Sequence, residues 1–241
     1  MAPEQSRIKN GLIQAMAPEA FESLAPYIQL VKLPYQHVLV EPNEPNETVC
    51  FLVSGLASIV ATNPEENVEV AHVGREGMSG EHIAMLCDRT VNRTFMQIEG
   101  EGYTLSVARL NEAFEAHPST RKLLLHYLQT CVLQFSQTAL ANARYSIRER
   151  LARWLLMVHD RRDTDDLPLT HDLLGLMLGV RRSGVTDQIH LLEGDKAIKA
   201  TRGSIQVLSR SLLIDAAGGC YGEPEREYER LIGDSLGRKK R

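Results

Sequence analysis

Two adjacent arginines, Arg181 and Arg182, stand at the centre of the stretch LTHDLLGLMLGVRRSGVTDQIHLLEGD, residues 169–195. Paired guanidinium groups suit a partner that carries phosphates or a planar acceptor edge such as guanine. The residues after them are short and polar. If a helix starts at Arg182, then Val185, Ile189 and Leu192 share its inner face, at spacings of 4 and 3. Ser183, Thr186, Asp187 and His190 then face outward, with Arg182 flanking them. Short polar side chains fringed by arginine let a helix backbone come close in a DNA major groove. Arg202, beside Gly203 in KAIKATRGSIQVLS, falls at the tip of a predicted hairpin and can touch the backbone of a neighbouring groove. The competing reading is a helical hairpin in an enzyme core with solvated arginines. Core helices seldom combine a polar cap, a glycine turn, an exposed polar face and a basic hairpin.

These residues need a frame. Thr170 is placed to cap a first short helix, with Asp172 in its first turn, where the helix dipole favours negative charge. Leu174, Met177 and Leu178 give that helix an inner face, Gly179 supplies the tight turn, and Val180 packs beneath it. Upstream, SIRERLARWLLMVHDRR predicts another helix, burying Ile147, Leu151, Trp154, Leu155 and Val158. Before it runs a longer one without a breaker from Arg121 to Ala143, on the order of 35 Å. Its Leu125, Leu128, Val132, Phe135, Ala139 and Asn142 alternate spacings of 3 and 4, the seam of a coiled coil, so it reads as a dimer helix or else as a single core helix. Between about residues 31 and 106 the texture is of short strands and Gly/Pro turns, which argues for a compact β-barrel or roll. Within it, LASIVAT and VEVAHV alternate like half-buried strands around the turn NPEEN. The first thirty residues look helical, with Leu12, Ile13, Met16, Phe21, Leu24 and Ile28 at helical spacing.

Charge divides along the same lines. Residues 1–143 carry 9 basic against 16 acidic residues, residues 144–210 carry 12 against 9, and the rest balances at 6 against 6. A basic segment behind an acidic one suits a nucleic-acid-binding module joined to a module with another task. The start MAPEQSRIKNG lacks the apolar core of a secretory signal, and no apolar run is long enough for a membrane span. Cys50, Cys87, Cys131 and Cys220 are scattered, which fits reduced cytoplasmic thiols and no metal site. No GxSxG, HExxH or Walker pattern occurs, so an enzyme is not expected. EPEREYER reads as a charged terminal helix and GRKKR as a basic tail.

Taken in order, a roll, a long helix and a winged helix resemble the Crp/Fnr superfamily of bacterial transcription regulators over roughly residues 10 to 220. The segments that carry the resemblance are FLVSGLASIVAT, VGREGMSGE, RERLARWLL and LMLGVRRSGVT. VGREGM and the tail CYGEPEREYERL look most like a group whose effector is not generally known. The fold so implied is α+β: an N-terminal β-roll of the cyclic-nucleotide-binding jelly-roll kind (1–116), a long dimerisation helix (117–144) and a C-terminal winged helix-turn-helix with its tail (145–241). The function implied is that of a cytoplasmic, homodimeric regulator that binds a pseudo-palindromic operator in double-stranded DNA, meets RNA polymerase and has no membrane role. The alternatives are the same fold with a vestigial pocket, acting without effector, and a cyclic-nucleotide-binding scaffold with no DNA role.

By the same resemblance, Gly80-Glu81 and Arg93-Thr94 occupy the positions of a cyclic-nucleotide phosphate pocket, with Phe135-Ser136 on the long helix where a Thr-Ser pair reads the base. Phenylalanine can stack on a base but forms no hydrogen bond with it, and the loop HIAMLCDRTVN is about two residues longer than the pattern. A cyclic nucleotide is therefore one candidate effector, the competing expectation being that Arg93 simply pairs with Glu81. An iron–sulfur cluster is not expected, because the first cysteine is Cys50, nor is haem on His82 and Met85. On the second helix, the family's Arg-Glu…Arg reading set aligns with Arg182, Ser183 and Asp187, so a different operator is implied. Arg181 stands where a Ser or Thr cap is common, which is awkward for a free helix and sensible beside DNA backbone.

Overall fold

The strand texture of the first half resolves into two facing antiparallel sheets, preceded by short helices. The computed structural model describes residues 3–63 and 65–233, so the GRKKR tail and Pro64 of the NPEEN turn lie outside the described residues. In chain order, α1 (Gly11–Ala15) and α2 (Pro18–Leu24) lead into β1 (Gln29–Leu33), β2 (Val38–Val40), β3 (Thr48–Leu52), β4 (Leu56–Thr62) and β5 (Asn67–Val73). A 3-10 helix, Glu81–Met85, precedes β6 (Arg93–Ile98) and β7 (Gly100–Ser106). The sheet orders are β1-β7-β3 and β2-β6-β4-β5. Leu33, Leu52, Ile59, Val73 and Met96 fill the space between the sheets.

Two helices follow, α3 (Val107–Ala116) and α4 (Pro118–Arg144). Proline at the first turn of α4 needs no hydrogen-bond donor there, so the helix begins at once. Its Leu124 and Tyr127 pack into a cluster with α1, α2 and the 3-10 helix. The Tyr127 hydroxyl donates to Met78 O at 2.9 Å and accepts from Met78 N at 3.2 Å. Gly77 permits that approach, since a Cβ on it would lie 2.4 Å from the Tyr127 hydroxyl oxygen. Leu125, Val132 and Leu140, by contrast, are 44–46% exposed and touch no core.

The second half starts sharply. A capping box, in which Ser146 Oγ accepts from Glu149 N and the Glu149 carboxylate accepts from Ser146 N, opens α5 (Ile147–Asp160). Then come β8 (Asp166–Leu167), α6 (His171–Leu178), α7 (Arg182–Gly194), β9 (Ile198–Thr201), β10 (Ser204–Val207), α8 (Arg210–Ala216) and α9 (Glu223–Leu231). The three short strands form one antiparallel sheet, β8-β10-β9. Leu155, Leu174, Val185, Ile189, Ile205 and Leu213 are its shared core. No helix among the described residues is long and apolar enough to cross a membrane.

The sequence predicts alternating burial in LASIVAT, but Leu56 through Val60 are all buried. The cause is tertiary. Ala57 and Ile59 face the interior of the roll, while Leu56 joins the core of the second half and Ser58 Oγ lies 3.7 Å from Met177 Sδ. The outer face that water would have wetted is covered by α6.

Replacing Gly77 with alanine forces the Tyr127 ring from its place. The expected cost is about 1–3 kcal/mol, as for other overpacked cores, read from the midpoint of chemical denaturation.

Candidate nucleic-acid interface

α6 and α7 form the helix pair that the arginines called for. Thr170 Oγ1 accepts from Leu173 N at 3.2 Å and caps α6. Gly179 ends the helix at φ +62°, a left-handed turn that costs glycine nothing. Gly175 matters too. A Cβ on it would meet Val180 O at 3.0 Å, so a side chain there would push the turn back from α6 by a few tenths of an ångström. A glycine inside a helical pattern was the available signal.

Val185, Ile189 and Leu192 of α7 are buried, and Ser183, Asp187, His190, Arg181 and Arg182 are exposed. Thr186 differs from expectation: it is half-buried and engaged. Its hydroxyl donates to Arg182 O at 3.1 Å, so it accepts from His171 Nδ1 at 3.0 Å. Arg182 Nη1 lies 3.2 Å from Asp172 Oδ2, an exposed pair that water screens and a phosphate can displace. Arg181 occupies the N-cap of α7 without any side-chain hydrogen bond to the helix end. The hairpin β9–β10 turns at Gly203, φ +79°, with Arg202 exposed beside it. Glu193 Oε1 accepts from Ala200 N at 2.8 Å and so fixes the hairpin against α7. Thr170, Arg182, His190, Thr201 and Arg202 line one open groove between α6, α7 and the hairpin. The sequence did not flag His171, Asp172 or Glu193 as partners of the reading face, because each acts through a residue on another element.

The second set of residues does not come together. Gly80, at φ +77°, opens the 3-10 helix Glu81–Met85. The Glu81 carboxylate is buried close to Tyr127 and Cys131 of α4; burial raises the pKa of all three groups, and the charge of Glu81 pushes the other two further up. Arg93 is not buried beside it. Along β6, Thr94 and Met96 point into the roll, whereas Arg93 shares the opposite face with Phe95, which packs against the second half. Arg93 Nε lies 3.6 Å from Glu41 Oε2, and its guanidinium sits 5.6 Å from the centre of the Phe95 ring. Strand parity thus corrects both expectations for Arg93, as a phosphate ligand and as a partner of Glu81. Phe135 is half-buried between the two cores of the first half, and the exposed Ser136 donates to Val132 O of its own helix at 2.9 Å. This arrangement does not fit a cyclic-nucleotide phosphate. Among the described residues no group of three His, Cys, Asp or Glu side chains could hold a metal ion.

A helix pair with a basic hairpin, behind a β-roll and a long helix, is a winged helix-turn-helix architecture. Residues 149–216 match the family of Crp-like helix-turn-helix domains. No curated protein matches the chain. Among solved structures, the chain is similar to the c-di-GMP-responsive global regulator CLP of Xanthomonas campestris, at 17% identity over 80% of this chain and 100% of that one, TM-score 0.63. It is similar to FixK2 of Bradyrhizobium japonicum at 15% identity over 78% and 96%, TM-score 0.67. A Crp/Fnr-family regulator of Thermus thermophilus gives 20% identity over 79% and 99%, TM-score 0.57. Residues 149–216 are thus similar to a Crp-like helix-turn-helix domain, and the chain shares the fold of these solved structures.

Two expectations follow. Arg181→Ser supplies the missing cap and removes a cation from the positive end of α7, so the free protein should gain about 1 kcal/mol in denaturation. Glu81 has a raised pKa when folded, so its contribution to stability is complete at low pH and is lost as pH rises. Glu81→Gln should therefore be more stable than the parent at neutral pH, the gap closing as pH falls to about 4.

Proposed function

We propose that the protein is a sequence-specific DNA-binding transcription regulator that works as a homodimer. The observation that carries this reading is the groove between α6, α7 and the hairpin, with Arg182, His190 and Arg202 on its walls. Arg181 and Arg202 meet phosphates, Arg182 reaches a guanine edge, and Ser183, Asp187 and His190 face base edges, with Thr186 held behind them by His171. The exposed apolar stripe of α4, with Leu125 and Val132, supports pairing with a second copy through that helix. Two reading helices so joined would address half-sites about 34 Å apart on a pseudo-palindrome. In this scheme residues 1–116 form the sensory unit, 117–144 the pairing helix and 145–241 the reading unit.

The outward Arg93, paired with Glu41, favours a regulator that does not take cyclic AMP in the roll. One solved relative is described as responsive to c-di-GMP, which makes that nucleotide a second ligand to try.

The test is selection of genomic fragments at fixed salt, with and without cyclic AMP or c-di-GMP. The expected result is selective binding to one pseudo-palindrome, unchanged by cyclic AMP. Absence of selective binding under every condition overturns the reading. Arg202→Ala should weaken binding to all sequences and reduce the slope of log affinity on log salt by about 1. Arg182→Ala should also relax base preference within the half-site, and Arg181→Ser should weaken binding although it steadies the free helix.

A further inference from the structure

Two segments outside the matched helix-turn-helix residues meet in the interior. VGREGM, at the end of β5, supplies Glu76, and CYGEPEREYERL supplies Glu225 and Tyr228 of α9, which packs along α4. Tyr228 donates to Glu76 O at 2.6 Å. Arg161 Nε donates to Glu76 Oε1 at 2.6 Å, with both side chains about 5% exposed. Gly74 lets Arg161 lie this close, because a Cβ on it would stand 2.9 Å from the Arg161 stem. Between these groups and α4 is a cavity whose walls include His72, Thr130, Gln134 and Glu225, all of them buried. It gives the centre of a water-sized particle about 20 Å³, room for one such guest and scarcely a second.

These walls call for a hydrogen-bond donor. Thr130 gives its hydroxyl proton to Tyr127 O at 2.6 Å, Tyr127 gives its own to Met78 O at 2.9 Å, and Tyr228 is committed to Glu76. Glu225 Oε2 and both ring nitrogens of His72 are buried without a hydrogen-bond partner among the described residues. His72 Nδ1 lies 3.6 Å from Glu69 Oε1, and that carboxylate draws the ring proton to Nδ1, which leaves a lone pair on Nε2. Burial, and after it the charge of Arg161, lowers the pKa of the ring, which stays neutral. Two residues with unfilled acceptors thus border one small space. Charge narrows the guest further. Of the buried carboxylates that meet α5, Glu76 is matched by Arg161 and Asp160 by Arg210, whereas Glu69 and Glu225 have only Arg153 between them among the described residues. One negative charge is left over. Without a cation in the cavity Glu225 keeps a proton, because burial and Asp160 raise its pKa against the pull of Arg161 and Arg153. A metal ion fits poorly: hard cations take oxygen ligands, and this wall offers an imidazole.

We propose that this cavity is a binding site for a single ammonium ion, hydrogen-bonded to Glu225 and His72. Ammonium has the size of a water molecule, donates in four directions and carries the one positive charge that the buried carboxylates lack. Thr130 Oγ1, whose proton is already given away, is a third acceptor on the wall. On binding, the carboxyl proton of Glu225 passes to solvent and the carboxylate accepts an N–H in its place. The site stands apart from the DNA-binding reading, since its occupancy is measured without DNA.

Isotope-labelled ammonium chloride, added to the full-length protein and followed by NMR, tests it. The expected result is a proton signal of bound ammonium, distinct from that of the free ion, with Overhauser contacts to the His72 ring. The midpoint of chemical denaturation should also rise with ammonium concentration, because only the folded state binds, and should rise more than with equal potassium or sodium chloride. Glu225→Gln copies the protonated side chain and so keeps the fold; it should lose both the bound signal and the selective rise. A signal or a selective rise that persists unchanged in this variant puts the ion elsewhere and overturns the site. An equal rise in all three salts with no bound signal overturns it too, since water alone then fills the cavity. If the variant does not fold, the Overhauser contacts in the parent decide: their presence supports the site and their absence overturns it.

Discussion

Glu76 and Arg161 meet almost wholly out of water, and the placement of three parts of the chain turns on their staying together. Removing one partner from such a pair costs about 3–5 kcal/mol, because the other charge is left buried. The pair joins the loop after β5 to the last turn of α5, and α9 closes over the loop through Tyr228. Since only Tyr145 and Ser146 separate α4 from α5, fixing the far end of α5 also fixes its angle to α4. The direction in which α6 and α7 project from α4 is thus set at a point remote from both.

Helix α7 shows a second constraint, this time a local one. Its first residues carry two cations at the positive end of the helix dipole, with no side chain satisfying the free N–H groups. Every other choice nearby favours the fold: Thr170 caps, Gly175 and Gly179 fit the turn, and Val185 and Ile189 are fully buried. A single departure from local consistency in an otherwise consistent motif is the usual mark of a functional position. The neighbouring Asp172–Arg182 pair shows the same logic, because an exposed ion pair holds its arginine loosely enough to release it.

Much of this motif was legible in the sequence because its determinants are local. The Thr170 cap, the Gly179 turn and the buried spacing of α7 each involve residues a few positions apart, where helix geometry alone dictates who meets whom. The same holds for the hairpin with Arg202 and Gly203 at its tip. Arg93 was read differently because its surroundings depend on which face of β6 lies outward, and a shift of one residue reverses that. Glu76 and Arg161 are 85 residues apart, and no pattern in the chain announces their meeting. LASIVAT misled in an instructive way. Its alternation is real, but the outer face is buried by a second module instead of being wetted, so the polar side chain of Ser58 ends against a methionine.

That double burial of β4 has a consequence for how the protein is made. Ser58 and Met177 are separated by 119 residues, so the ribosome must add that many before α6 can cover the outer face of the strand. At about 5–20 residues per second the newly emerged roll waits on the order of ten seconds with Leu56, Phe95 and Ile98 uncovered. Its yield in a cell is tied as closely to synthesis of the distant helix as to its own hydrophobic core.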